Sequence, residues 1–368
     1  MADKSNMAKY SFSMKKSLIL LSAVLTFTCI PSQAVEFGTD ATGDPNVMKV
    51  GGGSGFLYSE RIVLTVAHVI EQTGGLNYWN RNGVVYNPGI ASIVGQRQYK
   101  VKQVIIPETY VTPDYRNNII KDDLAIIILS EDVPIQKKAV LATEEQMKRF
   151  VAEKSKVELV GYGFTNGSQR SMTWPELMNK PPNKLTSTLI SPEMVTEFYK
   201  QYPKVDWTKI NKPGVYGIIQ HRELQQSHIC DGDSGSVFFV EENNVKYVLG
   251  TTGLGLVNNN CPPPNNDYPF PSMSWIDPNS RLAEFLKIAE KIVADDKQRE
   301  FAQAEELRVA AENKSKQETD AKAKLEADAK AKLEAEASKK TSITCLKGKI
   351  KKRVLGINPK CPAGFKKI

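Results

Sequence analysis

Hydrophobic and polar positions change their rhythm twice along this chain. From Val35 to about Val293, short β-branched and aromatic runs are separated by Gly, Pro, Asn and Asp. Phe56-Leu57-Tyr58, Arg61-Ile62-Val63-Leu64 and Leu124-Ala125-Ile126-Ile127-Ile128-Leu129 are clear examples. Short apolar runs bounded by turn formers predict strands. The predicted fold class is all-β, with two packed antiparallel β-barrels and a site in the crevice between them. Asp277-Pro278-Asn279-Ser280 predicts a helix start. Leu282, Phe285, Leu286 and Ile292 recur behind it at helical spacing, which closes a domain over 35–295 with a C-terminal helix.

The rhythm then disappears. Residues 296–340 are rich in Ala, Lys, Glu and Asp and contain no Gly or Pro. An eight-residue repeat, Asp-Ala-Lys-Ala-Lys-Leu-Glu-Ala, fills 320–327 and again 328–335. Asp320 with Lys324 and Asp328 with Lys332 make favourable i,i+4 pairs. Leu325 and Leu333 stand eight apart rather than seven, so no steady coiled-coil seam forms. The segment reads as a helical or disordered spacer, with a reach on the order of 60 Å at full helicity.

A third pattern begins at Thr341. Residues 341–368 hold seven Lys and Arg353 with no Asp or Glu, so their +8 equals the formal net charge of the whole chain. Basicity is a property of this tail, and it suits docking on an anionic cell-wall or membrane surface and, equally, a solvated charged tail. No aromatic platform interleaves the charge, which argues against nucleic acid. At the other end, Lys15-Lys16, the apolar run Leu18 to Ile30 and Pro31-Ser32-Gln33-Ala34 read as a signal peptide over 1–34. The apolar run is short for a membrane span. Export makes an oxidising compartment the expectation. Four cysteines then remain beyond Cys29: Cys230, Cys261, Cys345 and Cys361. Cys345 and Cys361 bracket the tail, and proximity favours their pairing.

Candidate chemistry sits in Cys230-Asp231-Gly232-Asp233-Ser234-Gly235-Ser236. A serine flanked by glycines suits a nucleophile on a tight turn, and the N–H groups of Gly232 and Ser234 suit an oxyanion hole. Such a string also suits an ordinary turn, so a base and an orienter are required elsewhere. Thr65-Val66-Ala67-His68 follows a strand-like run, and Asp123 opens another. The chain has three histidines, His68, His221 and His228, so a histidine at that position is informative. The order His…Asp…Ser differs from that of α/β-hydrolases, and Ser236 breaks their G-x-S-x-G elbow.

Over roughly residues 35–295 the chain resembles the trypsin/chymotrypsin-like serine proteases. Thr65 to His68 is similar to that family's TAAH block, Asp123 to Ile127 to its D-[IL]-A-[LI]-[LI] block, and Gly232 to Val237 to its GDSGGP block. Val160-Gly161-Tyr162-Gly163 resembles V-G-W-G, and Gly250 to Gly255 resembles the substrate-binding strand. The resemblance implies Ser234 as nucleophile, His68 as general base and Asp123 as the residue that orients the imidazole. Asp122 is a neighbouring candidate that strand alternation would turn away. It also implies a substrate pocket with His228 at its floor, bounded by Gly253, Leu254 and Gly255, and a Cys230–Cys261 bridge beside it.

Several positions depart from the family pattern. Gly53 and Val69 stand where a disulfide usually joins the histidine block to the preceding strand, and Ser236 and Val237 replace Gly and Pro. Gly253 and Leu254 replace Ser-Trp. His228 in place of an aspartate argues against Lys/Arg specificity. The start Val35-Glu36-Phe37-Gly38 resembles the family's mature terminus, which implies an activation pair between a freed Val35 ammonium and Asp233. The expected function is a secreted, monomeric serine endopeptidase acting on protein or peptide substrates without metal or organic cofactor. The alternative is a protease-like domain that serves as a non-catalytic surface-binding module.

Overall fold

The structure, a computed structural model, describes residues 35, 38–87, 97–114, 119–134, 138–163, 181–200, 216–220, 229–230, 232–252, 272–276 and 280–368. The chain divides into two compact units, Met1–Val293 and Ala294–Ile368.

In the first unit the described strands begin with β1 (Thr39–Asp40), β2 (Val47–Val50), β3 (Gly53–Ser59), β4 (Ile62–Thr65) and β5 (Val84–Asn87). They continue with β6 (Arg97–Ile105), β7 (Val111–Asp114), β8 (Ile119–Lys121) and β9 (Ala125–Leu129). The later ones are β10 (Lys138–Leu141), β11 (Lys156–Gly161), β12 (Asn183–Ile190), β13 (Tyr216–Gln220), β14 (Val237–Glu242), β15 (Val245–Thr251) and β16 (Ser272–Ile276). Helices α1 (Ala67–Gln72), α2 (Gly75–Asn82), α3 (Glu144–Ala152) and α4 (Pro192–Lys200) interrupt them, and α5 (Ser280–Ser338) follows.

Strands β2, β3, β4, β9, β6 and β5 close into a six-stranded barrel. The unbroken apolar character of β4 and β9 has a direct cause, since both faces of each strand are covered. Val63, Ala125, Ile127 and Leu129 fill the barrel interior with Tyr99, Val85 and Val101. Ile62, Leu64, Ile126 and Ile128 point outward into a second cluster shared with Val160, Val237, Phe239 and Val248. Each such aliphatic side chain contributes roughly 1.5–3 kcal/mol on burial. Together they fix the barrel against the other half of the unit.

That other half is an eight-stranded sheet over the described residues, in the order β10-β15-β14-β11-β12-β13-β16, with β1 added on β12. Its own core gathers Phe150 and Met147 of α3 with Leu159, Leu185, Phe238 and Leu249. Pairing is antiparallel except between β10 and β15, where Lys138 to Leu141 run parallel to Val245 to Val248. The two strands are over a hundred residues apart in sequence, so no hairpin imposes antiparallel pairing on them. Between the halves, the Lys246 ammonium is buried and donates to both carboxylate oxygens of Asp44 at 2.8 Å. The rings of Phe239 and Phe56 lie 4.6 and 5.7 Å from that ammonium.

Leu282, Leu286 and Ala289 at the start of α5 pack into the shared cluster, as the helical spacing predicts. No Gly or Pro interrupts 280–338, and the closing helix and the spacer are one continuous helix. In the second unit its side chains from residue 301 onward are exposed. Arg308 there pairs with both Glu305 and Glu312. The rest of that unit is a small sheet of β17 (Thr341–Lys347), β18 (Ile350–Gly356) and β19 (Lys366–Lys367), in the order β18-β17-β19. A Cys345–Cys361 disulfide with an S–S distance of 1.99 Å closes it.

Candidate active site

His68 stands in the first turn of α1, directly after β4, and is 4% exposed. Its ring Nδ1 lies 2.6 Å from Asp123 Oδ2, while its backbone N–H donates to Asp123 Oδ1 at 2.9 Å. One carboxylate therefore fixes both the main chain and the imidazole. With Nδ1 bonded to an acceptor, Nε2 is the nitrogen left to exchange a proton. Asp123 reaches this position because Asp122, just before it, adopts a left-handed conformation with φ of 50°. A turn, rather than the strand alternation expected from the sequence, separates the two aspartates. Asp122 accepts instead from Thr109 Oγ1 and pairs with Arg281 of α5.

A short strap crosses the same corner. Tyr110 and Thr112 donate their hydroxyls to the two oxygens of Glu71, each at 2.8 Å. Burial, the bond to Glu71 and the nearby Asp123 charge all push the Tyr110 phenol well above its ordinary range. It remains a neutral donor beside the His68–Asp123 pair.

Ser234 is half-buried on a turn whose flanking Gly232 and Gly235 have φ of 92° and 90°. L-residues with a Cβ rarely adopt such angles, which is why the motif carries glycine there. The turn is tied to the barrel by Ser54 of β3. The Ser54 N–H donates to the Ser234 carbonyl at 2.9 Å, and its hydroxyl donates to the Gly232 carbonyl at 2.8 Å. The same hydroxyl accepts from the Tyr162 N–H at 2.9 Å. Gly53 lies between the turn and α1: a Cβ built on it would stand 2.8 Å from both the Ser234 carbonyl oxygen and Val69 Cγ2. The positions where a disulfide was missing are thus adjacent, and the Val69 side chain fills the space.

Asp233 is fully buried. Its carboxylate accepts from the N–H of Gly163 at 2.7 Å and from that of Cys230 at 2.9 Å. A Cβ on Gly161 or Gly163 would come within 2.2 or 2.3 Å of this carboxylate, so both glycines are needed for its close approach. Val35 is also fully buried and packs in the cluster of Leu159, Leu185 and Phe238. The Ser236 side chain is buried beside Gly161, and among the described residues its hydroxyl has no hydrogen-bond partner. Leaving such a group unpaired costs roughly 1–3 kcal/mol.

The family model Trypsin matches residues 41–275, well over half of the chain. The chain belongs to the trypsin family. No curated protein matches it. Its trypsin domain is a hydrolase domain of the serine-protease type.

The sequence singled out His68, Asp123, Ser234, Gly232, Val35 and Asp233, all within the described residues. His228, Gly253, Leu254, Gly255 and Cys261 lie outside them. Cys230 is disulfide-bonded, as is the Cys345–Cys361 pair. Sequence reasoning missed Ser54, Tyr110 and Glu71. Gly53-Ser54-Gly55 looks like turn chemistry, and nothing in the string announces a serine that binds a loop some 180 residues downstream. Among the described residues no helix is long and apolar enough to cross a membrane.

Proposed function

We propose that this trypsin-family chain is a secreted serine endopeptidase, with His68, Asp123 and Ser234 as its catalytic triad. The His68–Asp123 geometry is the observation that supports this reading most. An imidazole held by one carboxylate at its ring and its main chain is preset in tautomer and orientation. In the proposed reaction Ser234 Oγ attacks the scissile carbonyl while His68 Nε2 takes its proton. Asp123 stabilises the imidazolium that forms. The N–H groups of Gly232 and Ser234 receive the oxyanion, and His68 then protonates the leaving amine. Water repeats the cycle on the acyl-enzyme and restores Ser234. His228, Gly253, Leu254 and Gly255 would shape the pocket that selects the side chain before the cleaved bond.

The proposed activation step removes residues 1–34 as a signal peptide and frees the Val35 ammonium to pair with Asp233. Two features support it: Val35 is buried in the core of the sheet that carries Gly161, and Asp233 is a buried carboxylate bound by amides. Residues 341–368 would hold the secreted protein on an anionic surface.

The test is labelling of the purified Val35–Ile368 protein with a fluorophosphonate probe, read by intact mass beside Ser234→Ala. One adduct on the parent and none on the variant is the expected result. A folded parent that takes no adduct would remove the endopeptidase reading. N-terminal sequencing of the exported protein should begin at Val35, and a start elsewhere would remove the activation pair.

A further inference from the structure

The C-terminal sheet of the second unit has two unlike faces. Strand register assigns each side chain to one of them, because Leu346 pairs with Lys351 on β18 and with Lys366 on β19, while Cys345 pairs with Lys352 and Lys367. Side chains alternate along each strand, so Cys345 and Leu346 mark opposite faces. The Cys345 face is closed at its centre, while Lys347, Ile350, Lys352 and Lys367 on its margins are exposed. Its disulfide to Cys361 brings the returning segment across it, Cys345 is fully buried, and Ile343, Val354 and Phe365 are partly buried.

The Leu346 face is open and amphipathic. Lys351, Leu346 and Lys366 form one row across the three strands. Arg353 and Thr344 form the next, and Ile368 joins it through its N–H to the Thr344 carbonyl at 3.0 Å. Leu355 opposite Ser342 forms a third. Leu355 and Ile368 are 68% and 62% exposed, and all three cations are exposed. No acidic residue lies within 341–368 to balance them. Lys351 and Arg353 stand two residues apart on one face of β18, close enough to repel, so this arrangement gains from an external counter-charge.

We propose that the Leu346 face docks on an anionic lipid bilayer, with Lys351, Arg353 and Lys366 on the headgroup phosphates and Leu355 and Ile368 at the acyl boundary. This rests on the anionic-surface reading of the tail and narrows it. A soluble or wall-bound polyanion would use the cations alone. The two leucine and isoleucine side chains set among them have a use only where phosphate and hydrocarbon lie within a few ångströms of each other.

The test is co-sedimentation of the Val35–Ile368 protein with phosphatidylcholine vesicles containing about a third phosphatidylglycerol, which gives them a negative surface potential. Pure phosphatidylcholine vesicles and a heparin resin serve as comparisons. Binding is expected to the anionic vesicles and to be lost on pure phosphatidylcholine. K351Q with K366Q should weaken it by roughly fivefold per cation, and K352Q with K367Q on the opposite face should weaken it less. L355S with I368S should weaken vesicle binding on the order of tenfold while leaving elution from heparin unchanged. Equal losses from the two lysine pairs, or an unaffected L355S/I368S variant, would overturn the bilayer inference and leave a diffuse polycation. Failure to bind either vesicles or heparin would overturn the anionic-surface reading as well. Retained hydrogen-exchange protection of the β17 and β18 amides in each variant shows that a loss of binding is not a loss of the fold.

Discussion

Ser54 holds the Ser234 turn through its own amide and one hydroxyl, and that hydroxyl also receives the Tyr162 amide. A hydrogen bond of this kind contributes about 1 kcal/mol to stability, but under the proposed mechanism its positioning of the peptide meant to receive the oxyanion has a larger effect on rate. Ser54→Ala is therefore expected to lower kcat on the order of tenfold with KM nearly unchanged, whereas Ser54→Thr should recover much of the loss. Steady-state kinetics on a peptide substrate checks this, and equal falls in kcat and rise in KM would point to a general loss of structure instead. The contrast in legibility is physical. The contact between His68 and Asp123 could be anticipated because each residue opens or closes an apolar run. Ser54 could not, because its importance comes from what folding brings to it.

At the scale of elements, β4 and β9 were readable because burial on both faces leaves an unbroken apolar run. The parallel β10–β15 pair was not, since neither strand carries a mark of its partner's direction. The basic tail also folds into more than the loop that its two cysteines suggest, because β19 returns to pair with β17. A 28-residue sheet has little core, and the Cys345–Cys361 link spans 16 residues. Closing a loop of that length contributes about 3 kcal/mol by the chain-entropy account, enough to decide whether so small a unit folds. Cys345→Ser with Cys361→Ser is expected to abolish the protection of β17 and β18 amides in hydrogen exchange. The fluorophosphonate labelling rate should stay the same. Protected amides in the variant would show that strand pairing suffices.

Across the whole trypsin domain, the boundary between barrel and sheet carries buried charge as well as apolar contacts. Lys49 of β2 is 3% exposed with its ammonium 5.4 Å from the Tyr162 ring, and burial lowers its pKa from the ordinary 10.5 to about 8. The unfolded chain keeps that proton up to about 10.5, so between about pH 8 and 10.5 the unfolded state binds more protons than the folded one. Folding stability from this residue therefore rises with pH across that window, by an amount on the order of 3 kcal/mol. Urea unfolding of the parent at pH 7.5 and 9.5, beside Lys49→Met, measures it. The variant is expected to lose the rise, and an identical slope in both would remove Lys49 as its source. Nothing in the chain's pattern marks this lysine, since one cation inside a strand-length run looks like a solvent-facing position.

The unbroken helix α5 bears on the fate of the molecule among proteases. Peptide bonds are cut when the backbone lies extended in a cleft and lends its amides and carbonyls to the enzyme. A helix denies both, because those groups already bond one another within the segment. Its many lysines would otherwise make 296–340 an easy target for lysine-directed cleavage. Scission there must wait for local unwinding, so the lifetime of the intact chain is set by how often a few turns of this helix open.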